Sequence, residues 1–95
     1  MVMAVLYFDV KDADGFQGAM AGSGSLFEGV AGFNGFELRR GVEEPARFLL
    51  TADWDSVETH TAWQAAHAQA FLGALSPFIE RPPDIKHFRQ VMPTT

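Results

Sequence analysis

His60, Trp63, His67 and Phe71 are the residues whose types and spacing could do chemistry. At 3.6 residues per turn, His60, His67 and Phe71 fall nearly on one line of a helix, with Val57 and Trp63 flanking it. Val57, Trp63 and Phe71 are what a helix buries against a sheet. The two imidazoles therefore sit on that buried face or at its rim. An imidazole placed there can take a proton near neutral pH and act as a general base. For either histidine alone, a strand-end or solvated edge position is the commoner case. A metal shared by the pair is not expected. Seven residues separate them by about 10 Å along the axis, whereas helical ligand pairs usually sit one turn apart, and no Asp or Glu joins them on that face.

Trp63 stands among Ala62, Ala65, Ala66 and Ala68. Small neighbours around one large ring leave either a cleft or tight helix-on-sheet packing. Trp54, at the end of an apolar run, reads as core. The run Gly22-Ser23-Gly24-Ser25-Leu26-Phe27 resembles a phosphate loop only superficially. A dinucleotide fingerprint needs glycine where Phe27 stands, and a P-loop needs a Gly-Lys pair. Arg39 and Arg40 read as a solvated or interface pair, and no nucleophile-elbow motif is present.

The elements that position these residues follow from the hydrophobic pattern. Val2 to Phe8 is an unbroken apolar run of strand length, followed by a turn at residues 11–15. Phe16, Met20, Ser23 and Phe27 recur at helical spacing, which predicts a helix over 16–28 weakened by Gly18, Gly22 and Gly24. Phe33 to Arg40 and Arg47 to Trp54 read as strands. Asp55 or Ser56 caps a second helix, Asp55 having capping-box spacing to Glu58. That helix runs from Val57 to about His67 and continues or restarts through Leu75. The last strand is Ile85 to Met92. The order β-α-β-β-α-β is the ferredoxin-like α+β plan with an antiparallel sheet. Two helices cover one face of four strands, and the first and third strands are apolar on both. A second copy packed sheet to sheet is the simplest cover.

Composition narrows the function. The 95 residues fit one domain spanning 1–95, and the 47% hydrophobic content fits a globular chain. A net charge of -5 argues against nucleic acid or an anionic membrane surface as partner. The absence of cysteine excludes disulfides, thiolate catalysis and sulfur-ligated zinc. The N-terminal apolar run lacks a preceding Lys or Arg and is too short to span a bilayer, so the chain reads as cytoplasmic.

Gly32-Phe33-Asn34-Gly35-Phe36-Glu37-Leu38 resembles the "G-F-x-G-[FY]-E-L" strand of the antibiotic-biosynthesis-type monooxygenases. Trp54-Asp55-Ser56, with Trp63 nine residues after Trp54, resembles the start of that family's second helix. Pro83-Asp84-Ile85-Lys86-His87-Phe88 resembles its last strand. The resemblance implies a dimeric α+β barrel with a pocket between sheet and helices. It also implies oxidation of polycyclic phenols by O2 without metal, flavin or haem prosthetic group; a related branch degrades haem as a substrate. The phenol-oxidising type pairs a Trp with Asn and Tyr. Trp63 matches the first, while the only Asn and Tyr here are Asn34 and Tyr7. The haem-degrading type has an Asn on the first strand, and a His where Gly73 stands here.

The expected function is a cofactor-independent monooxygenase acting on an electron-rich aromatic small molecule. His67 or His60 is the expected base. Trp63 and Phe71 wall the ring, and Tyr7 and Met20 add to the lining. The alternatives are a non-catalytic dimer binding a small ligand and an O2-independent acid–base enzyme on the same barrel.

Overall fold

A computed structural model describes residues 1–93. The chain forms β1 (Val2–Asp9), α1 (Ala13–Gly22), a 3₁₀ turn over Gly24–Phe27, β2 (Phe33–Arg40), β3 (Arg47–Trp54), α2 (Val57–Leu75), a 3₁₀ turn over Ser76–Phe78, and β4 (Asp84–Phe88). The strands form one antiparallel sheet in the order β2-β3-β1-β4. This is the expected ferredoxin-like arrangement.

Register decides which side chains reach the helices. Ala4 pairs with Ala52, Leu6 with Leu50 and Phe8 with Phe48. All six are buried, as strand alternation requires of one face. Their partners across the sheet are Phe16 and Met20 of α1, Phe27, and Trp63, Phe71 and Leu75 of α2. The opposite face carries Met3, Val5, Tyr7 and Leu49, with Phe88 beside Met3. Met3, Tyr7 and Phe88 are exposed there. Glu37, Arg39, Asp53 and Lys86 edge this apolar centre with both signs of charge.

The "G-F-x-G" segment acts by setting the start of α2. Gly32 has φ +83°, and a Cβ on it would meet Thr59 at 2.8 Å. Its carbonyl accepts from the Asp55 amide at 2.8 Å. Gly35, at φ +121°, lies within the register shift between Phe33 and Phe36, where a side chain would be strained. Asn34 Nδ2 donates to Asp55 Oδ1 at 2.9 Å. Asp55 is thereby committed to β2, and Ser56 caps the helix instead. Ser56 Oγ accepts from the Thr59 amide, and Thr59 Oγ1 from the Ser56 amide. The expected Asp55–Glu58 box is replaced by this Ser56–Thr59 one.

Three other boundaries differ from expectation. The stretch expected as a turn over 11–15 is where α1 begins, because Asp12 Oδ1 accepts from the Gly15 amide at 3.0 Å and caps it. The helix expected over 16–28 breaks after Gly22, where Ser23 Oγ bonds back to the Ala19 carbonyl at 2.8 Å. Strand β4 stops at Phe88 rather than Met92. Phe88 pairs with Met3, and β1 begins one residue away at Val2. By contrast, α2 is unbroken to Leu75.

Gly18 lies inside α1 with nothing within 4 Å of an added Cβ. Gly18→Ala is therefore expected to raise stability by about 0.5–1 kcal/mol, the helix-propensity difference. A urea midpoint unchanged or lowered would show that the added methyl has no room.

Candidate active site

Helix α2 turns His60, Trp63, Phe71 and Leu75 onto the sheet. Trp63 is fixed from three sides. Its indole Nε1 donates to the Leu26 carbonyl at 2.9 Å. Phe27 stacks on it at 4.7 Å between centroids and 14° between planes, and Phe71 meets it edge-on at 5.7 Å. The 3₁₀ turn after α1 thus supplies both the hydrogen bond and the stacking ring, which explains why a helix break sits there.

His60 is the buried ionisable group of this region, 4% exposed. Its ring stacks on Trp54 at 4.8 Å. Its Nδ1 lies 2.7 Å from Nε2 of His87, which reaches it from the inner face of β4. One ring must donate an N–H and the other accept it. Burial first, and the neighbouring His87 charge second, push His60 from 6.5 down to about 4. At neutral pH its imidazole is uncharged, and where His60 Nδ1 donates to His87 its Nε2 keeps a free lone pair.

Between α2 and the sheet lies a cavity of about 30 Å³ lined by Ala4, Leu50, Ala52, Trp54, His60, Trp63 and Phe71, with Gln64 and Leu72 among its other walls. That is room for about one water. Trp54 is fully buried, and its indole N–H has no hydrogen-bond partner among the described residues. The site therefore combines an apolar wall with a buried uncharged imidazole. Such a combination can accept a proton from a ligand hydroxyl in a medium that strengthens any charge formed.

The residues singled out in the sequence divide between this cavity and other places. His60, Trp63 and Phe71 are brought together around it. His67 is half-buried on the far side of Trp63, its ring 5.9 Å away, and does not line the cavity. Met20 is buried in the core beneath α1 and likewise lies outside the cavity lining. Tyr7 is 52% exposed on the outer sheet face, under the Arg47 guanidinium, because alternation along β1 sends Leu6 and Phe8 inward instead. His87 and Gln64 did not emerge as site residues from the sequence. The period-two pattern of β4, with Ile85 and His87 on one face and Lys86 and Phe88 on the other, carried the signal for His87. Among the described residues no group of three or more His, Asp or Glu is set to hold a metal ion.

A family model described as antibiotic biosynthesis monooxygenase matches residues 1–90. No curated protein matches the chain. Several solved structures share its fold. A Bordetella bronchiseptica protein provisionally named an antibiotic biosynthesis monooxygenase is 24% identical, with a TM-score of 0.87, over 96% of this chain and 97% of that one. SnoaB, a cofactor-independent oxygenase from Streptomyces nogalater, is 21% identical with a TM-score of 0.82, over 98% and 97% of the two chains. A MhuD variant holding two manganese protoporphyrin IX molecules per active site is 23% identical with a TM-score of 0.82, over 100% and 99%.

Proposed function

We propose that this chain, which belongs to the antibiotic biosynthesis monooxygenase family, oxidises an electron-rich phenol or quinol-type ring with O2 and needs no cofactor. The observation that supports this reading is the buried, uncharged His60 facing an apolar cavity beside Trp63 and Phe71. His60 takes the proton of the ring hydroxyl. The resulting anion is electron-rich enough to reduce O2. Conversion of a ring CH2 to C=O by O2 releases one water and draws all its electrons from the substrate, so the balance requires no external reductant. The lowered basicity of His60 is compatible with this role. Its protonated form becomes favourable when a negative charge forms next to it, which is the moment of reaction. Trp63 and Phe71 wall the ring. His67 is the second candidate base, on the other side of Trp63. Met20 and Tyr7 are assigned no place in the ring site.

A second reading, a non-catalytic dimer binding a small ligand, is favoured by one observation. Trp63 has neither of the expected polar partners, since Asn34 is engaged by Asp55 and Tyr7 lies on the other sheet face. Haem degradation ranks behind both, because the inner face of β1 offers Ala4, Leu6 and Phe8 rather than an amide. O2 uptake by the purified protein against a panel of hydroxyanthrones and hydroquinones tests the first reading. Uptake that His60→Gln abolishes supports it. Saturable binding without uptake supports the second.

The working unit is a homodimer packed through the outer sheet face. Its apolar centre of Met3, Val5, Tyr7, Leu49 and Phe88 lacks cover in one chain, and its mixed charged edge suits a two-fold copy of itself. Leu49→Asp is expected to give a monomer in sedimentation velocity, since it places two like charges across a self-facing patch. A Leu49→Asp protein that still sediments as a dimer would move the interface elsewhere. Among the described residues no helix is long and apolar enough to cross a membrane.

A further inference from the structure

The inner cavity cannot admit a ring as it stands, yet one of its walls is shared. Leu72 lines both that cavity and a groove of about 490 Å³ at the C-terminal end of α2. The groove runs between the last turns of α2 and the Arg81–Pro83 segment, with Lys11 on its border. Leu72 is only half-buried. Gly73 beside it leaves open space, with nothing within 4 Å of an added Cβ. Moving one leucine between staggered rotamers is a small change. Parting α2 from the sheet, by contrast, would break the His60–His87 contact.

The groove also carries charge. Lys11, Glu80 and Arg81 line it. Arg81 Nη2 is already paired with Asp9 Oδ2 at 2.7 Å. Lys11 forms no ion pair among the described residues. An anionic group could not go further in. The inner cavity offers no cation, and an unpaired buried charge is strongly disfavoured.

We infer that the groove is the outer half of the ligand site, that Leu72 is the partition between the halves, and that the ligand is an aromatic ring system bearing a short anionic arm. The ring passes Leu72 into the inner cavity and the arm stays at Lys11. This rests on the proposed function for its identification of the inner cavity as the ring site.

The test is a fluorescence titration with two probes of similar ring size, anionic 8-anilinonaphthalene-1-sulfonate and neutral N-phenyl-1-naphthylamine. Lys11→Glu is expected to weaken the sulfonate roughly three- to tenfold, the range of an exposed charge interaction reversed in sign, and to leave the neutral probe within about twofold. Leu72→Ala is expected to tighten both probes. Leu72→Trp is expected to weaken both, with far-UV circular dichroism and melting temperature as controls on folding. The inference is overturned by failure of either probe to bind, by a Lys11→Glu effect equal on both, or by indifference of both to Leu72→Trp. Binding needs neither O2 nor a base. A protein that shows this pattern but consumes no O2 would sink the oxygenase reading and leave the two-part site standing. Turnover of neutral and anionic substrates alike, unaffected by Lys11→Glu, would do the reverse.

Discussion

His60→Gln is expected to lower kcat for O2-consuming turnover by ~10²–10⁴, the usual contribution of a positioned acid or base. The argument is geometric before it is electrostatic. His60 lines the cavity, whereas His67 lies behind Trp63 and does not. Glutamine preserves hydrogen-bonding capacity beside His87 and fills similar space, so a loss of this size would reflect proton transfer rather than collapse. His67→Gln is expected to change kcat by less than about tenfold, as befits a residue outside the reacting volume. The contrast between the two single variants decides the assignment. If His67→Gln carries the large loss and His60→Gln the small one, the ring binds on the other face of Trp63 and the cavity beside His60 is only a packing defect. Equal small losses would remove imidazole base catalysis altogether and turn the weight toward the ligand-binding reading.

His60, Trp63 and Phe71 were legible in the sequence because helical periodicity is a local property. Once α2 exists, residues at those spacings share its buried stripe whatever the sheet does. Strand β3 was legible for the same reason, as an apolar run closed by turn residues, while β2 was read from Phe33, Phe36 and Leu38 leading into Arg39 and Arg40. What could not be read locally was the partner of each residue. Tyr7 and Leu6 are equally apolar neighbours on β1, and only the register with β3 and β4 decides that Leu6 faces the helices. His87 comes 27 positions after His60, and their contact requires β4 to lie beside β1 with His87 opposite Ala4. Of the two caps the sequence offered for α2, Ser56 serves, because Asp55 is taken by a residue 21 positions earlier, Asn34. The "G-F-x-G-F" segment illustrates how a family motif can be structural. Its glycines and asparagine hold β2 against the first turn of α2, and they thereby fix the angle at which His60 meets the sheet.

The same burial that shapes His60 as a base makes it a source of acid lability. In the unfolded chain its pKa returns to about 6.5, while in the folded protein it is held down to about 4. A lowered histidine pKa means that the folded state binds fewer protons than the unfolded state between these values. Its contribution is therefore present in full above pH 6.5, declines as pH falls from 6.5 toward 4, and levels off below 4. Over that window the loss is about 3 kcal/mol, at 1.36 kcal/mol per pKa unit. That is a large share of the 5–15 kcal/mol by which domains of this kind are stable. Carboxylates titrate at the lower end of the same range, so the wild-type profile alone does not isolate His60. The comparison that does is with His60→Phe, which keeps a ring stacked on Trp54 and carries no proton. Urea unfolding at one fixed protein concentration, between pH 7.5 and 4, is expected to show the wild type losing about 3 kcal/mol more than His60→Phe. His87→Gln removes the second cause of the lowering and leaves the burial, so its loss should fall between the two. Parallel profiles for wild type and His60→Phe would mean that His60 takes up its proton in the folded state without cost. The imidazole would then be open to water, and the cavity would not be the dry site that proton abstraction from a phenol requires.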